Sequence, residues 1–127
     1  MQKTGFTVSL LALGLIAAAS SLVAHHSGLA YDKDRPVTLS GVVTGYEFIN
    51  PHARIHFDVK GKGGAIVKWV ALSGPPQRLY RLGWNRFTLK PGDPITVTGR
   101  PAKDQSKHLS IEKLVGPAGK VLLEGAA

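Results

Sequence analysis

Cysteine is absent from all 127 residues, and that absence removes several options at once. No disulfide can brace the fold, no thiolate can act as a nucleophile, and no zinc or copper site can be built on sulfur. Acidic residues are scarce too, 8 against 16 lysines and arginines, for a formal charge of +8. The carboxylates are scattered, with no pair set on one face for general acid–base work. There is no G-x-S-x-G elbow, no P-loop and no dinucleotide fingerprint. The chain is therefore not expected to be an enzyme. Long apolar runs are also missing after the first 24 residues, so no membrane-spanning helix is expected beyond them.

Those first 24 residues, MQKTGFTVSLLALGLIAAASSLVA, have the three parts of a secretory leader. Lys3 supplies a positive start, Phe6 to Ala19 an uncharged apolar stretch, and Leu22-Val23-Ala24 a cleavage site. A membrane anchor needs about 20 apolar residues, and this run is shorter and breaks at Ser20-Ser21. Ala17-Ala18-Ala19 offers a second place to cut. The expected mature form is a single domain of about 100 residues, periplasmic or secreted, and losing Lys3 with the leader lowers its charge to +7. Such a balance suits anionic partners. Nucleic acid is disfavoured by export and because no aromatic-interleaved basic run occurs.

The mature part begins with an arm, HHSGLAYDKDR (25–35), that has no periodicity. From Pro36 the pattern becomes β-rich. VTLSGVVTGYEFI (37–49) carries β-branched and aromatic residues interrupted by Gly41 and Gly45, which suggests a strand with bulges or sharp bends. HARIHFDV (52–59) alternates, setting Ala53, Ile55, Phe57 and Val59 on one face against His52, Arg54, His56 and Asp58. KGKGG (60–64) reads as a hairpin turn and AIVKWVAL (65–72) as a third strand. Pro75-Pro76 can open a short helix over 75–82, with Leu79 and Leu82 on one face and Gly83 as its stop. Strands at 94–102, 108–114 and 120–124 complete the order. Three strands, a short helix and two or three strands is the element order of an OB-fold. The expected fold is all-β with one short helix: an OB-like Greek-key barrel of five to six strands spanning residues 36–127. An open β-sandwich of the same strands is the alternative.

Five histidines stand at 25, 26, 52, 56 and 108. If the leader is cut after Ala24, His25 becomes the N-terminal residue, and its α-amine and imidazole can chelate one metal ion. A further imidazole would complete a three-nitrogen site, a histidine brace. Such tetragonal nitrogen sets favour Cu(II), and an α-amine of pKa near 8 is readily neutral. His52 and His56 share a strand face, but four residues of strand span about 13 Å, so only one of them can join. His52, beside the Asn50-Pro51 break, is the better placed. His56 is expected on the solvated face and His108 is an outsider. Elsewhere, Tyr46, Phe48, Phe57, Trp69 and Trp84 are expected mostly in the core, although a stacking surface is open to them. Arg78 and Arg81, with Arg86 and Arg100, are a candidate anion patch or simply a solvated face.

The segments A-H-H-S (24–27), P-V-T-L-S-G-V-V (36–43), N-P-H (50–52), W-V-A-L (69–72), R-L-G-W (81–84) and L-K-P-G-D-P-I-T-V-T-G-R-P-A (89–102) resemble those of a domain-of-unknown-function family of small exported bacterial proteins. The resemblance implies an exported β-barrel and singles out His25, His26 and His52, the positions that match its His-His and Asn-Pro-His motifs. Taken together, these features point to a small exported binding protein with a metal ion, copper favoured, on His25, His26 and His52. The other expectation is a metal-free module whose barrel face and basic helix bind an anionic ligand or an envelope protein partner. Intact-mass measurement of the secreted protein is expected to show a chain that starts at His25, and a start elsewhere would exclude the brace.

Overall fold

The computed structural model describes residues 30–125; the leader, His25 and His26 lie outside the described residues. Its architecture follows from one long strand, β1 (Val37–Glu47). The first half of β1 pairs antiparallel with β4 (Pro94–Pro101), from Val37 opposite Gly99 to Val42 opposite Pro94. Its second half pairs antiparallel with β2 (Arg54–Lys60), from Val42 opposite Asp58 to Glu47 opposite Arg54. One strand can serve two neighbours in this way only if it coils sharply. Of the two glycines expected to bend it, Gly41 sits at a close strand approach and Gly45 beside a bulge. At Gly41 a Cβ would collide with the Asp58 carbonyl oxygen and lie 3.0 Å from the Phe57 ring. At Thr44 an extra residue between Val43 and Gly45 makes a bulge, which increases the local twist.

β2 continues through the turn at 61–65, with Gly63 and Gly64 at positive φ, into β3 (Ile66–Leu72), again antiparallel. β3 then pairs in parallel with β5 (His108–Val115) over Val70–Leu72 and His108–Ser110. β5 pairs antiparallel with β4, so the circuit β1-β2-β3-β5-β4 closes on itself. β6 (Val121–Glu124) adds to the other side of β5. This is the OB-type barrel with one extra strand, and the sandwich alternative is excluded by the closure. Thr38 and Ser40 on β1 bond the hydroxyls of Thr98 and Thr96 on β4 at 2.9 and 3.0 Å, cross-strand pairs of the kind that stabilise a sheet's solvent face.

Inside the barrel, Val43, Ile55, Phe57, Val97, Leu109 and Leu114 are fully buried. The alternation read over 52–59 holds: Ala53, Ile55 and Phe57 are buried while His56 and Asp58 are part-exposed and Arg54 exposed. The helix is α1 (Pro76–Arg81), with Pro75 as N-cap. Its end is a Schellman motif. The Gly83 N–H donates to the Tyr80 carbonyl at 3.0 Å, and the Trp84 N–H to the Leu79 carbonyl at 3.1 Å, with Gly83 at φ +88°. Leu79 and Trp84, the hydrophobic pair of that motif, are both buried. Leu82 does not share their face, contrary to the spacing argument. As the C-cap it leaves the helical path and stands exposed.

Among the described residues no helix is long and apolar enough to cross a membrane. Gly41→Ala is expected to lower the unfolding free energy by about 1–3 kcal/mol, the usual cost of overpacking. Gly45→Ala, where the nearest atom is the flexible His56 ring at 3.4 Å, should change it by less than about 1 kcal/mol. Urea unfolding of the two variants measures the contrast.

Candidate functional site

The described chain enters along the end of β4. Tyr31 makes an antiparallel bridge with Ala102, the Asp32 N–H donates to the Pro101 carbonyl at 2.8 Å, and the Lys103 N–H donates to the Ala30 carbonyl at 2.8 Å. On the other side of Ala102 lies β5, because the Ala102 N–H donates to the His108 carbonyl at 2.9 Å. His108 is therefore two strand spacings from Tyr31, about 10 Å. The loop between β4 and β5 supplies the remaining groups.

In that loop the Asp104 carboxylate accepts the Ser106 N–H at 2.9 Å and the Ser106 hydroxyl at 2.6 Å. His108 Nδ1 lies 3.2 Å from the same Ser106 oxygen. These contacts determine which atom donates. An ionised carboxylate only accepts, so the single hydroxyl proton of Ser106 is committed to Asp104. Ser106 Oγ can then only accept from His108, which must carry its proton on Nδ1. Among the described residues nothing bonds Nε2, whose lone pair is left for a proton or a metal. The bonds from the Ser106 hydroxyl and N–H hold the Asp104 carboxyl below its ordinary value. Burial, with the Asp104 charge, raises the Tyr31 hydroxyl above its own.

The other histidines are separate from this cluster. His52 sits just past the cis Asn50–Pro51 peptide and is exposed. Its Nδ1 lies 3.1 Å from the Ser73 carbonyl. A carbonyl has no proton to give, so His52 too is the Nδ1–H tautomer with Nε2 available. His52 lies beyond the Glu47 end of β1, whereas Tyr31 precedes its Val37 end. Ser73 follows directly on Leu72, which pairs with Ser110 of β5, so His52 lies near the same β3–β5 seam that His108 begins. His56 bonds Glu47 through Nε2 at 2.8 Å, and that bond lowers the Glu47 carboxyl. Among the described residues no three His, Asp or Glu side chains stand together to hold a metal.

The remaining candidates sort by position. Arg78 and Arg81 are exposed on the last turn of α1. Arg86 lies over the Phe87 ring at 4.7 Å. Arg100 pairs instead with Glu112 across β4 and β5, so it does not belong to a patch around the helix. Of the aromatics, Phe57 and Trp84 are buried. Tyr46 packs on Phe48 and Trp84, with ring centroids 6.2 and 6.4 Å away. Burial pushes the Tyr46 hydroxyl up to about 12, so it stays a donor, and it bonds the Asn85 carbonyl at 2.9 Å. Trp69 lies under the Lys107 ammonium at 5.3 Å. These rings are committed to packing and do not form an open stacking platform. Asp104 and Ser106 were not singled out from sequence; their one signal is the alternating Asp-x-Ser-x-His spacing over 104–108.

A closed five-stranded barrel with a helix between its third and fourth strands defines an OB-type fold. Within that class, the chain belongs to the family of unknown function DUF6152, whose profile matches residues 12–110. No curated protein sequence matches it. Among solved structures it is similar to the mitochondrial single-stranded DNA binding protein Rim1 of S. cerevisiae, at 9% identity and a TM-score of 0.49, over 76% of this chain and 99% of that one. It is also similar to TiaS in its complex with a tRNA and ATP, at 23% identity and a TM-score of 0.43, over 66% of this chain and 19% of that one.

The hydrogen-bond pattern around His108 is open to direct measurement. Imidazole nitrogen shifts in NMR spectra at a pH where His108 is neutral should show the Nδ1–H tautomer in the wild type. Ser106→Ala should lose that preference while His52 keeps its own.

Proposed function

We propose that the protein is exported and binds a metal ion, with copper favoured, where its N-terminal histidines meet the barrel. Cleavage after Ala24 supplies the His25 α-amine and imidazole, His26 adds a second imidazole beside them, and a barrel histidine completes the set. His108 is the barrel ligand that this reading adopts in place of His52. The observation that carries the reading is the Asp104–Ser106–His108 relay beside the point where the arm enters. Metal-bound imidazoles characteristically donate their other N–H to an oriented acceptor, which fixes the ring and raises its basicity. His52 has comparable chemistry but lies outside the loop that the arm's backbone bonds adjoin. The role is to hold or deliver the ion.

A second reading is a metal-free module that binds an anionic envelope partner through the basic end of the barrel. It is favoured by the exposed Arg78 and Arg81 and by the absence of any acidic residue between Asp58 and Asp93.

Cu(II) titration of secreted protein beginning at His25 tests the first reading. His108→Ala should weaken binding at least tenfold and Ser106→Ala by about tenfold, with His52→Ala close to wild type. One extra residue ahead of His25 should abolish the tight site by removing its amine. Weakening by His52→Ala alone would return the third ligand to the Asn-Pro-His motif, and no tight binding by the wild type would end the metal reading.

A further inference from the structure

Among the described residues, four of the seven large hydrophobic side chains that stand exposed fall in two neighbouring segments of the barrel surface. Tyr80 and Leu82 are at the end of α1, Phe87 is in the turn that follows, and Val121 is in β6, at 70, 56, 75 and 48% exposure. Leu82, Phe87 and Val121 line one cleft together with Trp84, Pro117 and Leu122, and the one charged residue along it is Lys120.

This exposure is held in place by the surrounding bonds. The Trp84 indole N–H donates to the Leu122 carbonyl at 2.8 Å, and the Tyr46 hydroxyl donates to the Asn85 carbonyl at 2.9 Å. Within the turn, the Phe87 N–H donates to Asn85 Oδ1 at 2.7 Å and the Asn85 N–H to Thr88 Oγ1 at 2.8 Å. Phe87 is thus carried outward on a pinned turn, with the Arg86 guanidinium over its ring.

The charge around this surface has one sign. Residues 73–92, which follow β3, contain Arg78, Arg81, Arg86 and Lys90 and no carboxylate. The next carboxylate, Asp93, is occupied by Lys90. Glu124, at the end of β6, is paired with Lys113. Arg81, Arg86 and Lys120 flank the apolar residues, and the nearby acids are already engaged elsewhere.

We propose that this end of the barrel is a membrane-docking surface that seats on an anionic phospholipid bilayer. Leu82, Phe87 and Val121 enter the interfacial layer while Arg81, Arg86 and Lys120 meet the lipid phosphates. The proposal deepens the second reading above, on which its electrostatic half rests. The side chains present argue for a bilayer over other polyanions. Single-stranded nucleic acid needs flat rings to stack on, but two of the three exposed large hydrophobic residues lining the cleft are aliphatic, and Tyr46 is packed on Phe48 and Trp84. A soluble anion would satisfy the arginines and leave the apolar group in water. An anionic bilayer interface accepts both in one plane.

Vesicle sedimentation of the full mature chain tests this. Phosphatidylcholine vesicles with about 30% phosphatidylglycerol should bind it at low salt and release it at about 0.5 M salt, and pure phosphatidylcholine should not bind. Leu82→Ser with Phe87→Ser, and separately Arg81→Glu with Arg86→Glu, should each weaken binding about tenfold or more without changing the melting temperature. Equal binding to neutral vesicles, or binding indifferent to both double variants, would overturn the proposal. Binding of heparin but not of vesicles, lost in Arg81→Glu with Arg86→Glu, would overturn the lipid assignment and keep the basic-surface reading. Binding to neither would remove both.

Discussion

The barrel closes on a short seam, the parallel pairing of Val70–Leu72 with His108–Ser110. Everything else in the circuit is antiparallel and formed between strands joined by the chain or served by β1. Parallel pairing between strands far apart in sequence gives less per residue and closes a long loop, so it forms only where the rest of the sheet delivers the two edges. Gly41 and Gly99 make that delivery possible. A side chain at either would strike a carbonyl, of Asp58 or of Ser110, and would hold the strands apart. The seam also starts β5 at His108, immediately after the 103–107 loop, so barrel closure and the orientation of that histidine have one origin.

Local elements were legible in the sequence because their causes are local. Pro75-Pro76 and Gly83 bracket a helix through backbone rules that act within a few residues, and the alternation over 52–59 records which face of β2 is buried. The glycine breaks in 37–49 announced a bent strand, and the strand–helix order was enough to favour a barrel. What stayed hidden depends on contacts between distant segments. Nothing near Tyr31 says that it will bridge Ala102, and nothing near Arg100 says that Glu112 will claim it. Leu82 has the spacing of a buried residue and loses that place because the helix ends at it. The same limit applies to the histidines: the strand order that sets His108 two strands from Tyr31 is not written beside His108, whereas the Asn-Pro-His motif of His52 is local. The standing of His25 and His26 still rests on sequence, since both lie outside the described residues.

The two regions of interest divide the chain's chemistry cleanly. Around the arm's entry the groups are polar and mixed in sign, and a carboxylate, a hydroxyl and an imidazole orient one another. Around the end of α1 the groups are apolar or positive, and the orienting bonds lie beneath the surface, from Trp84 to Leu122 and from Tyr46 to Asn85. The first arrangement suits a small, directional ligand. The second suits a broad surface that has charge but little shape.

The bridge between Tyr31 and Ala102 has another effect. β1 begins only at Val37, so without the arm the last residues of β4 would present unpaired N–H and C=O groups along an open edge. Such edges are templates for a strand from another molecule. By bonding the Pro101 carbonyl and offering the Ala30 carbonyl to the Lys103 N–H as its acceptor, the arm occupies that template. The residues that lead toward His25 and His26 thus also cover a strand edge. Trimming them would expose a sticky edge as well as remove two histidines.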